Sequence, residues 1–281
     1  MSRLLEPTKV TGAWRITLLL GALLLCVASC GSPERQDLRR GLELSRNREF
    51  KESLTYFDHA ILRSPESRES VIAAKEGAKI AFFELKDFKK AAEYNQHVIL
   101  SSRVPEERMA AQKQLANIDF DHLADYPGAV REINRLLTLD LNRAERISYR
   151  IRLAKAYYFQ NNFAQAESEA SDFLKGEKED QDAIFQMILL KGNVALARKD
   201  MTKAAENLRE LLKRYPERAV KENVAMSLAV AYEEMKDYKN AIAVLEEMRP
   251  FYTTPEYLDL RIKKLQEAQK NQPGAKGTKH K

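Results

Sequence analysis

The sequence has few of the residue types that mark disulfide-stabilised or β-sheet proteins. Its 281 residues include two cysteines, one tryptophan, four histidines, ten glycines and nine prolines. Two cysteines exclude the multiple bridges of a small disulfide scaffold. The shortage of glycine, proline and β-branched runs argues against a sandwich or barrel. The composition therefore predicts an all-α chain.

Catalytic and cofactor motifs are also missing. The chain has no glycine-rich phosphate loop, no GxSxG elbow and no HExxH. His59, His97 and His122 are widely separated and the fourth histidine is near the C-terminal end, so we predict no shared metal site. Adjacent acids such as Glu106 and Glu107 point in different directions on a helix and make a poor acid–base pair. We expect no enzyme, with no catalytic residues, metal or cofactor.

The first 29 residues have the layout of a secretory signal. Three basic residues precede an uncharged run over residues 16–29, and small residues stand immediately before Cys30. The run spans about 21 Å as a helix, which is short of the roughly 30 Å of bilayer hydrocarbon. A cleaved signal is therefore favoured over a membrane span.

Residues 27–30, VASC, resemble the lipobox of bacterial lipoproteins. The resemblance implies a diacylglyceryl thioether and an N-acyl chain on Cys30 after cleavage, and stable anchoring needs more than one acyl chain. Gly31, in place of Asp, resembles the class sorted to the outer membrane. Cys26 would leave with the signal, so the mature chain would hold no thiol pair. An ordinary cleaved signal and an uncleaved anchor are the alternatives.

The charge balance is mild. Lysine and arginine number 47 against 41 acids, which gives +6, and removal of residues 1–29 leaves 44 against 40, or +4. Both signs are interspersed through the body of the chain, as on a solvated helical surface. We therefore expect no nucleic-acid partner.

Six short stretches share one pattern. Each has a large side chain at its third position, and consecutive large residues are 37 or 38 positions apart. The stretches are NREFKES at 47–53, KDFKKAA at 86–92, ADYPGAV at 124–130, NNFAQAE at 161–167, KDMTKAA at 199–205 and KDYKNAI at 236–242. A period of this length predicts a stack of similar supersecondary units.

Each position of the pattern suits the start of a helix. The residue before the large one is Asp or Asn in five stretches, and these side chains cap helix N-termini; Glu49 is the poorest cap. The residue three positions after the large one is Ser53 or an alanine, which lets two helices approach closely. We predict that the second helix of each hairpin begins at the large residue, and that each helix has about a dozen residues.

These positions resemble the tetratricopeptide repeat (TPR). The best copies carry Gly41 and Phe57, or Gly192 and Leu208, where the family has such residues. The family's helix-A tryptophan is absent, and the period exceeds the usual 34, which we expect to lengthen the first helix or the joint between repeats. The resemblance implies a right-handed superhelix of about six hairpins. The period and joints such as RYPERA at 214–219 are similar to those of envelope lipoproteins of the barrel-assembly and Tol-Pal coordinator types.

The predicted organisation has four parts. Leu258, Ile262 and Leu265 lie on one face of a last helix that would cover the open end of the array. The final residues are basic and lack large apolar side chains, which predicts disorder. The parts are a cleaved lipoprotein signal at 1–29, a TPR array at 30–253, a capping helix at 254–270 and a disordered tail at 271–281.

Partner binding is expected on the concave wall, which the first helix of each repeat lines. The resemblance places ten residues on that wall: Leu42, Ile80, Phe83, Ile118, Lys155, Tyr158, Asn193, Leu196, Val230 and Glu233. We expect an extended or amphipathic segment to bind there, with Phe83 and Tyr158 as anchors. The alternative is that these residues pack against neighbouring helices. A clamp for a partner's terminal carboxylate is not favoured, because Ile151 and Leu189 are apolar.

The sequence therefore predicts a lipid-anchored adaptor without enzymatic activity. It would bind other envelope proteins, at the outer membrane and more on the periplasmic face than on the cell surface. Barrel assembly, cell-wall synthesis or division, and pilus or secretion assembly are the candidate processes. The alternatives are a soluble periplasmic or cytosolic TPR protein that binds chaperones or peptides, and an enzyme built on a repeat scaffold.

Overall fold

The computed structural model describes residues 32–252 and 256–272, which are helical with short turns and contain no strand. The predicted signal, Cys30, Thr254, Pro255 and most of the predicted tail lie outside these residues. The α-helices are α1 Pro33–Arg46, α2 Phe50–Arg63, α3 Arg68–Lys79, α4 Phe88–Ser101, α5 Pro105–Asp121, α6 Tyr126–Leu137, α7 Arg143–Phe159, α8 Phe163–Gly176, α9 Gln181–Ala197, α10 Met201–Arg214, α11 Pro216–Lys221, α12 Val224–Glu234, α13 Tyr238–Met248 and α14 Glu256–Lys270.

The six second helices begin at the six large residues, which confirms that prediction; they are α2, α4, α6, α8, α10 and α13. The Asp87 side chain accepts a hydrogen bond from the Lys90 backbone N–H at 3.0 Å. An Asp or Asn cap does the same in the four later hairpins. Glu49 makes no such bond, so it is the poorest cap, as predicted.

The turn inside every hairpin contains a residue with positive φ, two positions before the second helix. None of these is a glycine: they are Arg48, Lys86, Ala124, Asn161, Lys199 and Lys236. The backbone closes each turn, as when the Asp200 N–H donates to the Ala195 carbonyl at 2.9 Å. This left-handed conformation is costly for residues with a Cβ. Backbone hydrogen bonds and the side-chain cap of the second helix therefore hold the turn in this conformation together.

Small residues bring the two helices of a hairpin together. Ser53 and the equivalent alanines are fully buried, as predicted. The Ser53 hydroxyl donates to the Gly41 carbonyl at 2.8 Å across the first hairpin. A Cβ on Gly41 would lie 2.5 Å from the ring of Phe57, so the approach requires glycine.

The extra residues of the long period lie in the first helices and the joints. First helices α5, α7 and α9 have 17 residues each, more than the predicted dozen. In the second hairpin a π-helical segment, Ile80–Glu84, follows α3. A joint helix, α11, stands between the fifth and sixth hairpins. The expectation that the extra length enters the first helix or the joint is confirmed.

The chain forms two compact units, and the boundary lies between Gln114 and Leu115, inside α5. In the N-terminal unit α1 to α4 pack as two hairpins, with Phe57 and Tyr94 buried. The C-terminal unit contains α6 to α14 and the end of α5. Three residues on one face of α14, Leu258, Ile262 and Leu265, are buried in its core, as the sequence predicts. Within residues 32–252 and 256–272, no helix has the length and apolarity needed to cross a bilayer.

Candidate protein-binding groove

The C-terminal unit has a cavity of 610 Å³, which we call the C-terminal groove. Four helices and the residues that follow them form its walls: the end of α5, α7, α9 and α11. The lining residues are Phe120, Lys155, Tyr158, Phe159, Phe185, Gln186, Leu189, Leu190, Asn193, Arg218 and Glu222. The groove is therefore built mainly from first helices, with the joint helix α11 at one side.

Helical spacing explains how α9 lines the groove. Gln186, Leu189, Leu190 and Asn193 follow one another at intervals of three, one and three residues, so they share one face. The opposite face of α9 is buried, with Ile184 and Ile188 in the core. One helix thus gives apolar side chains to both the core and the groove.

A chain of hydrogen bonds joins α7, α9 and α11 at the groove. The Lys155 ammonium donates to the Gln186 side-chain carbonyl at 2.7 Å. The Gln186 amide in turn donates to Asp182 at 2.7 Å, and the Arg218 guanidinium pairs with the same carboxylate at 2.7 Å. Arg218 also lies 3.9 Å from the centroid of the buried Phe185 ring. These contacts fix the positive groups at the wall.

Lys155 is a partly buried cation without a close counter-charge. Burial lowers the pKa of its ammonium, and the positive charge of Arg152 adds to the effect. Among the described residues, no carboxylate is within salt-bridge distance of Lys155, and its side-chain partner is the neutral Gln186 amide. By contrast, Arg152 pairs with Asp121 at 2.7 Å. The Lys155 ammonium therefore has no direct salt-bridge partner, although the carboxylates of Asp182 and Glu222 act to raise its pKa and partly offset the effect of burial.

Aromatic rings continue the lining at the α5 and α7 side. The rings of Phe159 and Tyr126 stack at 4.9 Å between centroids, and Phe120 contacts Tyr126 edge-on at 5.7 Å. Phe159 is 48% exposed, although it is a large apolar residue. Tyr158 contacts Phe159 at 5.6 Å. An exposed ring held by other rings is a rigid contact surface of the kind that anchors partners.

Three of the ten residues predicted to contact a partner lie together in this groove: Lys155, Tyr158 and Asn193. Elsewhere in the C-terminal unit, Ile118 is fully buried and Val230 is 40% exposed. Leu196 is partly buried and packs on the core. Glu233 accepts a hydrogen bond from Arg261 of α14, so this carboxylate is engaged within the unit.

The other three predicted residues lie in the N-terminal unit. Leu42 is partly buried in α1, and Ile80 is buried at the start of the π-helical segment. Phe83, in the same segment, is 59% exposed and contacts the ring of Phe82 at 4.8 Å. Ile80 and Phe83 therefore face opposite environments within four residues.

Several groove residues were not predicted from the sequence. Phe159 directly follows Tyr158, which the sequence assigns to the concave wall. Leu190 directly follows Leu189, which the sequence analysis considers for a carboxylate clamp. A longer first helix brings these next positions into the groove. Arg218 and Glu222 belong to the RYPERA joint and the residues after it, which the repeat pattern treats as a linker. Pro216 is the available signal, because proline at the first position favours a helix.

The groove lining includes one carboxylate, Glu222, and no histidine or cysteine. In the described ranges, no three His, Cys, Asp or Glu side chains are placed to hold a metal ion. His97 belongs to the N-terminal unit, where its ring contacts the Ser70 hydroxyl at 3.2 Å. The lining therefore combines apolar side chains with the Lys155 ammonium, the Arg218 guanidinium, the Glu222 carboxylate and two side-chain amides.

A protein-family model matches part of the chain. The YfiO family, described as outer membrane lipoprotein, matches residues 180–259, which run from the cap of α9 into the first turn of α14. The matched segment supplies the α9 and α11 walls of the groove. None of the curated proteins compared with the chain matches it.

Solved structures show the same type of fold. A tetratricopeptide repeat protein from Parabacteroides merdae is 13% identical, with a TM-score of 0.48 over 85% of this chain and 88% of its own. PilW, a widely conserved type IV pilus biogenesis factor, is 10% identical, with a TM-score of 0.49 over 83% of this chain and all of its own. Naa15/Naa10 bound to HypK-THB is 15% identical, with a TM-score of 0.53 over 84% of this chain and 39% of the other.

At these identities the likeness concerns the fold alone. The fold agrees with the helical hairpins described above and with the repeat pattern. The chain has the helical-hairpin fold of tetratricopeptide-repeat proteins, and its residues 180–259 are similar to a family described as outer membrane lipoprotein.

Proposed function

We propose that the chain is a lipid-anchored adaptor of the bacterial outer membrane, without enzymatic activity, whose C-terminal groove binds a segment of another envelope protein. Cys30 carries the lipid after removal of residues 1–29, and this covalent lipid is the only non-protein group required. The periplasmic face is the proposed location. Pilus, cell-wall and barrel assembly remain the candidate processes.

The observation that carries the proposal is the combination of the exposed Phe159 ring, the partly buried Tyr158 ring and a half-buried ammonium in one cavity. Protein-binding hot spots are apolar or aromatic contacts at the centre of a site, with polar groups that fix orientation. Phe159 and Tyr158 supply the rings, Leu189 extends the apolar wall, and Lys155 supplies a donor that has no direct salt-bridge partner. A cavity of 610 Å³ has room for one or two large side chains of a bound segment.

The anchor and the location rest on two supports. The first is the sequence around Cys30, with its charged start, short apolar run and VASC box. The second is the similarity of residues 180–259 to a family described as outer membrane lipoprotein. The two supports come from different ends of the chain, so they are independent.

Site-specific photo-crosslinking tests the groove. A photoreactive phenylalanine analogue replaces Phe159 in the full-length chain in cells, and the same analogue replaces exposed Lys213 of α10 as the control. We expect a discrete protein adduct at position 159 and none at position 213. Leu189→Asp in the Phe159 analogue background should abolish the adduct, because it places a charge in the apolar wall.

Circular dichroism and thermal unfolding establish that each variant keeps its helices, and Tyr158→Ala serves as a milder second change. Equal adducts at positions 159 and 213 contradict a specific groove. An adduct that survives both Leu189→Asp and Tyr158→Ala in folded protein also contradicts it.

Acyl labelling tests the anchor separately. Radiolabelled palmitate should appear in the wild-type chain and be lost in Cys30→Ser. If label persists in Cys30→Ser, the lipoprotein part of the proposal is wrong. Absence of label from the wild type would instead favour a soluble TPR protein that binds chaperones or peptides.

A further inference from the structure

The two most exposed large apolar side chains of the described chain occupy equivalent positions in the N-terminal unit. Leu62 is 75% exposed and Leu100 is 78% exposed. Each lies twelve residues after the first residue of its second helix, near the end of α2 or α4. The equivalent residues of the other hairpins are Thr138, Lys175, Lys213 and Pro250. The hairpin itself therefore does not require leucine there.

These leucines lie near one end of the N-terminal unit, which we call the closing edge: the beginnings of α1 and α3 and the ends of α2 and α4. Arg63, at the end of α2, pairs with Asp37 near the start of α1 at 2.6 Å. Arg35 pairs with Glu69 at the start of α3 at 2.9 Å. His97, near the end of α4, contacts Ser70 of α3 at 3.2 Å. Side-chain contacts thus tie the four helix ends together.

The chain enters the unit at this same edge. Ser32, the first described residue, directly precedes α1. Cys30 stands two residues before it, and two residues span at most about 7 Å. A lipid on Cys30 would therefore hold the closing edge within a short distance of the bilayer. A long linker would leave the orientation free, but this tether does not.

We propose that the closing edge lies against the lipid surface, with Leu62 and Leu100 in the interfacial layer. This proposal rests on the lipid anchor of the proposed function and adds the orientation of the N-terminal unit on the membrane. Apolar side chains beside a covalent lipid strengthen membrane attachment, because each buries further apolar area.

Charge does not drive the contact. Residues 33–37, 63–69 and 101–107 of the edge carry four arginines and six carboxylates, and several of these are paired with each other. An edge with this balance has no attraction for anionic headgroups. The contact should therefore form on zwitterionic lipid and change little with salt.

Tryptophan reporters test the orientation. The only tryptophan, Trp14, lies in the predicted signal, so the mature chain has no other tryptophan emission. Mature acylated protein with Leu62→Trp or Leu100→Trp is placed in phosphatidylcholine vesicles that contain brominated acyl chains. We expect a shift of emission to shorter wavelength and quenching by bromine, at low and high salt alike.

Matched controls come from the same helices. Lys51→Trp and Lys89→Trp place the reporter eleven residues earlier on α2 and α4, on the same helix face and about 16 Å from the leucines. Both positions are exposed, and we expect neither shift nor quenching there. Equal quenching at Lys51 and Leu62 would contradict the edge-on orientation, because the helices would then lie flat on the bilayer.

The anchor is scored independently, by flotation of the acylated protein with the vesicles. Protein that floats without quenching at Leu62 and Leu100 overturns this inference and leaves the anchor intact. A shift without quenching also overturns it, since the leucines would then contact a second copy of the chain. Loss of flotation in acylated protein would contradict the anchor itself.

Discussion

The N-terminal unit ends its second helices in exposed leucines, Leu62 and Leu100, whereas the C-terminal unit has Thr138, Lys175 and Lys213 at the equivalent positions. The C-terminal unit instead places its apolar surface on first helices, where rings and leucines line a cavity. Both units use the same capped turns and the same buried small residues. The repeat thus specifies the hairpin, and the positions that it leaves free carry two different surfaces.

The largest expected difference between the units concerns their helix-contact glycines. A Cβ on Gly41 would lie 2.5 Å from the Phe57 ring, while a Cβ on Gly192 would lie 2.7 Å from Cδ2 of Leu208. Both side chains are fully buried, but the end of a leucine rotates more easily than an aromatic ring. Overpacking a rigid site costs about 1–3 kcal/mol, and alanine gains up to about 1 kcal/mol over glycine in a helix. We expect Gly41→Ala to be clearly destabilising and Gly192→Ala to be nearly neutral.

Hydrogen exchange followed by mass spectrometry measures the opening free energy of each hairpin separately, since the two units need not unfold together. Faster exchange in α1 and α2 of Gly41→Ala, with α9 and α10 unchanged in Gly192→Ala, is the expected result. Equal losses in the two variants would mean that Phe57 and Leu208 rearrange equally well.

A buried acid distinguishes the C-terminal unit at neutral pH. Burial raises the pKa of Asp119 to about 6, and the nearby carboxylates of Asp125 and Glu132 add to the shift, while Arg131 opposes it. The folded state therefore favours the protonated form. Its stabilising effect is complete below the unfolded pKa of about 4 and is lost as pH rises to about 6. Asp119→Asn should remove that loss, and it should be about 2 kcal/mol more stable than wild type at pH 7.

The free energies of unfolding of wild type and Asp119→Asn should converge near pH 4. The hydrogen-exchange rates of α5 and α6 measure this change in stability, and the rates of α1 to α4 provide an internal reference. Asp140→Asn, at an exposed position, is the control and should not alter the profile. A constant difference between wild type and Asp119→Asn from pH 4 to 7 would argue against titration of this group.

The smallest expected effect concerns the one uncapped second helix, α2. Glu49→Asp shortens the side chain to the length that reaches the backbone N–H of the first turn, as Asp87 does in α4. We expect a gain of about 0.5–1 kcal/mol for α1 and α2. Glu52→Asp, in the first turn of the same helix, should give no gain. Slower exchange in α2 of Glu49→Asp but not of Glu52→Asp is the measurement.

The sequence predicts second-helix starts well because they depend on neighbouring residues. The cap and the large residue, as in Asp87 and Phe88, act within one helical turn, so their effect is readable without tertiary information. The π-helical segment Ile80–Glu84 and the joint helix α11 have no counterpart in the six aligned stretches. They reflect how a long period is accommodated between hairpins, which local pattern does not encode.

The groove was predictable only in part, for a related reason. Lys155, Tyr158 and Asn193 lie on the wall that the family resemblance indicates. Ile118 is buried, because longer first helices change which side chains reach the surface. Arg218 lines the groove from the joint helix α11. Whether a side chain faces the core or the surface depends on the residues that contact it from adjacent repeats. A repeat pattern identifies the helix but not the rotation that tertiary packing selects.

The positive-φ turns have a cumulative consequence. Each of the six hairpins places a residue with a Cβ in a conformation that glycine adopts at lower energy, and the turns recur at the same point of every repeat. Glycine would relieve strain but add disorder to the unfolded chain, for a net gain of about 0.5 kcal/mol per turn. Asparagine already tolerates this conformation at Asn161, so the other five turns together amount to an expected reserve of about 2.5 kcal/mol. The array is thus less stable than its own architecture allows, and its turns are where stability can be added without altering either surface.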